Sequence, residues 1–302
     1  MKGIILAGGS GTRLYPLTKI MSKQLQPVYD KPMIYYPLSF LMMMGINEIL
    51  IISTPHDTPR IAELLGDGKE LGLKLSYIKQ DNPEGIAQAY LLGEDFLNGD
   101  DSMMALGDNI FHGNFEYFRR AVRSQISKKD GATARVFAYP VNDPERFGIV
   151  EFDEKTMKVK SIEEKPSNPK SNFAVPGVYL YDGTVSERVR NQKPSARGEL
   201  EITDLNEAYL KEGKLSCSLI GRGMAWLDAG TPESLLEASS FVEIIEKRQG
   251  LKIACIEEVA YQSGFINKDQ FLSVIEKMPK SPYKAYLQSV VSNDFDELKK
   301  AA

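Results

Sequence analysis

The chain has 302 residues, 42% of them hydrophobic, and a formal net charge of −4, which suits one large α/β domain with additions or two small ones. Acidic and basic residues are interspersed, so the basic field that a nucleic-acid binder needs is missing, and no segment reaches the roughly 18 to 20 consecutive apolar residues of a membrane span. The N-terminus lacks the long apolar stretch of a signal peptide, and the two cysteines, Cys217 and Cys255, form neither a metal-ligand spacing nor a disulfide framework. The expectation is a cytoplasmic protein with no nucleic-acid or membrane partner, whose cysteines are small buried hydrophobes.

In chain order, residues 3–7 form a short apolar run closed by glycines, which predicts a fully buried strand of a parallel sheet. Residues 33–44, MIYYPLSFLMMM, are apolar at helical spacing on more than one face, with Gly45 placed to close a helix C-terminus. EILIIS predicts a second buried strand, and the alternation continues with a helix over 58–65, a strand over 75–78, a helix over 85–96 and a strand over 102–106. A βαβ series with short crossovers predicts a doubly wound sheet.

Past Ala132 the pattern changes. ATARVFAYPV, FGIVEF and KVKSIEEKP follow one another with turns but no long helix, which predicts antiparallel strands inserted into the parallel sheet or laid beside it. After Val175 come a strand (GVYLYD), helices over 183–192 and 203–211, a strand over 215–220 and a helix from about Pro232. From about Glu243 the pattern is helical, and the tail SNDFDELKKAA reads as solvent-facing and frayed. There is no internal repeat, low-complexity segment or linker.

The stretch GGSGTR follows the first predicted strand directly, and ligands of open α/β sheets bind beyond the carboxyl ends of their strands. Its glycines allow backbone to approach a phosphate or to aim several N–H groups at one anion. Arg13 adds a permanently charged fork of donors. A tight turn followed by a surface arginine has the same local spelling, and both readings stand at this point. Two better-known phosphate loops are excluded: Gly11 is followed by Thr12 and Arg13, not by the Lys-[Ser/Thr] of a P-loop, and a dinucleotide loop counted from Gly9 requires glycine where Leu14 stands.

Taken together, the stretch GGSGTRLYPLTKIMSKQLQPVYDKPMIYYPL from Gly8, then GDNIF from Gly107, EEKP from Glu163, RGELEITD from Arg197 and WLDAGT from Trp226, resembles the sugar nucleotidyltransferases. Among them it is similar to the glucose-1-phosphate thymidylyltransferases, and the likeness runs from residue 2 to about residue 260. The opening motif marks only the superfamily. SKQL is more telling, because the uridylyltransferases usually carry a P-K-E-M-L-type segment there. The resemblance implies a Rossmann-like mixed, mostly parallel sheet in an α/β/α sandwich, with an antiparallel sugar-binding insertion and C-terminal helices. It implies one domain over 1–242, its nucleotide-binding part to about 130 and its sugar-binding part over about 131–230, with 243–302 a helical extension packed on it.

The implied reaction is dTTP + α-D-glucose 1-phosphate → dTDP-glucose + pyrophosphate, with Mg²⁺, early in dTDP-deoxysugar (rhamnose-type) and polysaccharide biosynthesis. The nucleophile is a phosphate oxygen already ionised at neutral pH, so positioning and positive charge are needed rather than a general base. That accounts for only two histidines, His56 and His112, neither in a nucleophile or base motif.

By resemblance, Arg13 and Lys23 contact the nucleotide phosphates within the loop of Gly8, Gly9, Gly11 and Thr12, while Gln24, Gln80 and backbone near Gly85 meet the base. Asp108 and Asp228 match the Mg²⁺ ligands. Lys165 and Arg197 match the residues that hold the sugar phosphate; Asn109, Gly148, Glu164 and Val175 meet the sugar hydroxyls, with Trp226 nearby. Phe147, Pro176 and Ala229 depart from the family's frequent tyrosine and threonines, which bears on sugar selectivity. The family is commonly a homotetramer inhibited by dTDP-rhamnose at a second, interfacial site, whose lining Arg222, Arg248, Cys255 and Glu258 resemble. Without the resemblance, each lone cation reads as a solvated surface charge, each aspartate as a turn or cap, and the second-site residues as helix packing.

Overall fold

The computed structural model describes residues 1–9, 11–128, 131–153 and 155–292, so the tail expected to be solvent-facing lies, beyond Ser292, outside the described residues. The chain opens with β1 (Lys2–Ala7), a small hairpin of β2 (Pro27–Val28) and β3 (Lys31–Pro32), α1 (Tyr35–Met43), β4 (Glu48–Ser53), α2 (Thr58–Leu65) and β5 (Lys74–Lys79). Next come α3 (Gln88–Leu92), α4 (Glu94–Leu97), β6 (Ser102–Leu106), β7 (Asn109–His112), α5 (Glu116–Ser127), β8 (Ala134–Pro140), β9 (Gly148–Phe152), β10 (Val159–Glu164), β11 (Phe173–Ala174) and β12 (Val178–Tyr181). The chain closes with α6 (Val185–Arg190), α7 (Ile202–Lys211), β13 (Leu215–Leu219), β14 (Ala225–Asp228), α8 (Pro232–Gln249), α9 (Ile256–Gln262), α10 (Lys268–Lys277) and α11 (Pro282–Ser292).

β1 lies between β4 and β6, parallel to both, and β5 joins β4 in parallel on its outer side. β12 enters antiparallel between β6 and β8, so that β8, and β13 parallel to it, run in the direction of β6 again. β8 also pairs with β11 (Ala174↔Tyr139), which passes the sheet to the antiparallel pair β9 and β10. The result is the mixed, mostly parallel sheet that was expected, with the antiparallel strands as an insertion.

Successive side chains of a strand face opposite sides. Ile5, Ile49, Ile51 and Met103 therefore enter one core, covered by α1, α5 and α9 to α11, while Ile4, Leu50, Ile52 and Met104 enter another, beneath α3, α6 and α7. A strand buried on both faces must be apolar throughout, which is why β1 and β4 read as unbroken runs. A third core joins Val28, Met33, Tyr36 and Ile110 to Ala238 and Val242 of α8. α1 is packed between this core and the sheet, which accounts for its apolar character on more than one face.

The structure differs from the sequence reading at four places. The helix expected over 85–96 is two short ones. Leu200 pairs with the chain before α3 (Leu200 N–H to the Glu84 carbonyl, 2.7 Å; Ala87 N–H to the Leu200 carbonyl, 3.1 Å), and the turn at Gly93 separates α3 from α4. α5 was not predicted, although Phe118, Ala121, Val122 and Gln125 are buried at helical spacing. The β7 and β14 pair, with Asn109 opposite Asp228, joins segments more than a hundred residues apart and has no local signature. α8 also runs unbroken through residues 242 and 243, where the helical extension was expected to begin.

Candidate active site

The loop after β1 is shaped by what lies beneath it. Gln80 follows β5, held by its N–H on the Ser53 carbonyl (2.7 Å), and a Cβ on Gly8 would stand 2.0 Å from the Gln80 Oε1, so any larger residue there would displace the Gln80 amide. Gly11 takes φ 59° at the start of the short turn Thr12–Leu14. Its carbonyl accepts from the Leu14 N–H (2.9 Å) and the Thr18 hydroxyl (2.8 Å). Leu14 is drawn into the interior, and the turn leaves Arg13 facing the cleft.

That cleft consists of two adjoining cavities. One, of about 180 Å³, is lined by Asp108, Asn109, Gly148, Val175, Trp226 and Asp228 among others. The second, of about 310 Å³, is lined by Gly8, Gly9, Gln80, Gly85 and Arg197 among others. Arg13, Ile86, Glu164 and Lys165 line both. Of the residues assigned by resemblance to the phosphate loop and base, Gly8, Gly9, Gln80 and Gly85 thus face one cavity; of those assigned to the sugar, Asn109, Gly148, Val175 and Trp226 face the other, with Asp108 beside them, whereas Arg197, assigned to the sugar phosphate, lines the loop cavity instead. Two cations, Arg13 and Lys165, stand at the junction. Gly11, Thr12, Lys23 and Gln24 line neither. Gln24 is buried, its Cγ packed close to Gly107, and Lys23 is in a salt bridge with Asp108.

Asp108 follows β6, and Asp228 ends β14. The Ala229 N–H donates to the Asp108 carbonyl (3.0 Å), which ties the two segments together. Burial works against the charge of Asp108, but Lys23, with a hydrogen bond from Asn109, outweighs it and holds the carboxyl below its ordinary range. Asp228 is displaced upward by burial and by the neighbouring charge of Asp108, against the pull of Arg146 and Lys23. Two carboxylates of which one is poorly compensated suit a hard divalent cation. Among the described residues no group of three or more His, Cys, Asp or Glu could hold a metal. Mg²⁺ takes one or two carboxylates and draws its other ligands from phosphate oxygens and water, and Asp108 and Asp228 are carboxylates of this cavity that could supply the first.

On the sugar side the side chain of Asn109 is engaged within the protein. Its Oδ1 accepts from the Trp226 Nε1 (2.6 Å) and from the Gly177 N–H (3.0 Å), and its Nδ2 donates to Asp108 (2.9 Å). It fixes the indole, which packs at 5.1 Å from the Phe147 ring. Glu164 accepts from the Thr203 hydroxyl (2.8 Å) and lies 3.3 Å from the Lys165 ammonium. Arg197 is half exposed and donates to Glu201 (2.8 Å).

Several lining residues escaped the sequence reading. Tyr179 and Thr203 come from β12 and α7, which only the fold brings to the cavity. Gln88, behind the wall, accepts from the lining Gln80 through its Nε2 (2.6 Å). Arg146 was within view, one position before the Phe147 that drew notice. Of the residues assigned to a second site, Cys255 and Glu258 line a separate cavity of about 260 Å³ together with His112 and Lys252. Arg222 and Arg248 are exposed and do not line it.

The model of the nucleotidyl transferase family matches residues 2–244, and the chain belongs to that family. Eight curated relatives at 48 to 54% identity carry one name. The chain is 53% identical to the glucose-1-phosphate thymidylyltransferase of Neisseria meningitidis serogroup A, over 95% of this chain and 98% of that one. It is 52% identical to that of Mycolicibacterium smegmatis, over 97% and 100%. Among solved structures, a candidate glucose-1-phosphate thymidylyltransferase from Bacillus anthracis, in complex with sucrose, superposes with a TM-score of 0.73 at 45% identity, over 80% of this chain and 94% of that one. A UDP-glucose pyrophosphorylase with UDP-glucose shares the fold at 23% identity, with a TM-score of 0.71 over 82% of this chain and 99% of that one.

Proposed function

We propose that this chain is a glucose-1-phosphate thymidylyltransferase, moving a thymidylyl group from dTTP to α-D-glucose 1-phosphate and releasing pyrophosphate. The observation that carries this reading is the pair of cavities meeting at Arg13 and Lys165, with two aspartates on the wall of one of them. Such a cleft suits two anions that must be brought together.

A phosphate oxygen of the sugar phosphate attacks the α-phosphorus of dTTP; the bond from that phosphorus to the oxygen bridging to the β-phosphate breaks, and pyrophosphate leaves. No proton need be removed from the nucleophile. His56 is largely exposed and His112 lies on the separate cavity, so neither lines the cleft. Repulsion between the anions is the obstacle, and cations fixed before reaction lower it without reorganisation. Arg13 serves the nucleotide phosphates; Lys165, at the junction, serves the sugar phosphate, towards which Arg197 extends from the loop cavity; Gln80 reads the pyrimidine from the wall of that cavity, and buried Gln24 supports the loop from beneath. Lys23 leaves Asp108 for the nucleotide phosphates when substrate binds. Asp108 and Asp228 would hold Mg²⁺, which when bound supplies charge neutralisation to the triphosphate. Trp226, Val175 and Glu164 shape the sugar site.

Incubation with dTTP, glucose 1-phosphate and Mg²⁺ releases pyrophosphate on this reading, and chelation with EDTA stops the release. No release above a control without sugar phosphate overturns it, and a higher kcat/KM with UTP than with dTTP reassigns the nucleotide. The same reading places the product in dTDP-deoxysugar biosynthesis in the cytoplasm, the enzyme in a homotetramer, and dTDP-rhamnose at the cavity of Cys255 and Glu258 as a feedback ligand. Light scattering and inhibition that dTTP does not relieve test the last two.

A further inference from the structure

Arg146 ends the short turn Pro144–Arg146 that joins β8 to β9. It lines the cavity that also holds Asp108, Asp228, Glu164, Lys165 and Trp226, and it does not line the cavity of the phosphate loop. Its guanidinium packs 5.3 Å from the centre of the Phe147 ring, and its Nη1 donates to Asp143 at 2.6 Å. Both partners of this ion pair are nearly half exposed. A pair so hydrated is weak, whereas a phosphate reached from the same position accepts two charge-assisted bonds from the planar fork. The positive charge acts across the cavity on Asp228. The Phe147 ring and Asp143 thus hold the guanidinium in place while leaving it half exposed.

We propose that Arg146 is a further substrate-binding cation of the cleft: it leaves Asp143 and grips the phosphate of the incoming sugar 1-phosphate. This rests on the thymidylyltransferase reading and deepens it. It lines only the cavity of Gly148, Val175 and Trp226 and so stands among the residues that meet the sugar; because Asp108 and Asp228 share that cavity, the kinetics must separate the sugar phosphate from the nucleotide phosphates. Asp143 is the resting partner. The pair predisposes the arginine to an anion without committing it to one.

The test is steady-state kinetics on wild type, Arg146→Ala, Arg146→Lys and Asp143→Asn, each checked for an unchanged melting temperature. Wild-type pyrophosphate release is measured first; if it is absent the thymidylyltransferase reading fails, and the variants are not needed to say so. With wild type active, Arg146→Ala is expected to lower kcat/KM for glucose 1-phosphate on the order of 10²-fold, the lower edge of what loss of one charge-stabilising donor costs. The KM for dTTP, and for pyrophosphate in the reverse direction, stays within about 2-fold of wild type, since a substrate that Arg146 does not hold loses no binding when it is removed. Arg146→Lys restores part of the loss. Asp143→Asn leaves kcat/KM unchanged or raises it, because it frees the cation. The proposal is overturned if Arg146→Ala retains wild-type kcat/KM for the sugar phosphate, if the KM for dTTP or pyrophosphate rises as much as that for the sugar phosphate, or if Asp143→Asn matches the damage of Arg146→Ala, which marks a merely structural pair.

Discussion

Arg13 owes its position to a neighbour on each side: the positive φ of Gly11 sets the turn, and buried Leu14 anchors it. Replacing Arg13 with alanine removes one of the two cations common to both cavities. It is expected to lower kcat on the order of 10²- to 10³-fold while changing the KM for glucose 1-phosphate far less; an equal loss in both contradicts its role at the nucleotide phosphates. The cysteines illustrate a residue-scale property that composition only hinted at. Burial pushes the Cys217 thiol up to about 12 and raises Cys255 as well, and both are buried. Since the thiolate is the nucleophile, iodoacetamide at pH 8 should leave both unmodified in the native protein and label both in urea. Rapid labelling of either in the native protein contradicts this. The residue types of the cleft were legible in the sequence, because phosphate chemistry calls for arginine, lysine and carboxylate at strand ends. The engagement of Asn109 with Trp226, Gly177 and Asp108 was not, since it joins segments distant along the chain.

At the scale of elements, apolar runs and turn residues carried most of the information. α2 spans the residues 58–65 predicted for it, and β6 the predicted 102–106, because their ends coincide with local breaks in the pattern. α3 begins late because residues 84–87 are taken by Leu200, a competitor that no local window contains. Gly85 makes the dependence testable: its φ is 106° and a Cβ there would stand 2.4 Å from the Leu200 carbonyl. Gly85→Ala is therefore expected to destabilise the fold by more than about 1 kcal/mol, read as a lower urea midpoint, and to raise the KM for dTTP because Gly85 lines the nucleotide cavity. A variant with unchanged midpoint and KM contradicts both. α5 was legible and overlooked: its arginines and glutamate mask an apolar face that only the i, i+3, i+4 count exposes.

For the molecule as a whole, the C-terminal helices are tied to the nucleotide half by a buried ion network. The Lys31 Nζ donates to Glu246 Oε1 (2.9 Å), the Ile253 N–H donates to the same oxygen (2.9 Å), and the Lys252 Nζ reaches Glu246 Oε2 (3.1 Å). Asp30 pairs with both lysines. Glu246→Ala leaves Lys31 buried and without this partner, so a loss of about 3 kcal/mol is expected, measured by urea unfolding; a loss under about 0.5 kcal/mol, the scale of an ordinary surface change, contradicts it. Burial acts against the charge of Asp30, but Lys252 and Lys31 outweigh it and hold the carboxyl below its ordinary 3.8. Because the folded value is depressed, this contribution is complete above the ordinary value and is lost as pH falls through the depressed one. Acid titration of Asp30→Asn should show a smaller stability loss over that interval than wild type. By itself the sequence determined the alternation of buried strands and helices, the phosphate-loop position and the family, because these depend on periodicity, on glycine and on contiguous motifs. Only the tertiary structure decided that Asp108 and Asp228 share a wall, that Arg13 and Lys165 join two cavities, and that Arg146 enters one of them. Those relations arise from pairing between β7 and β14 and from the joining of the insertion to the sheet through β11 and β8, contacts whose partners are far apart along the chain and leave no trace in any local stretch of it.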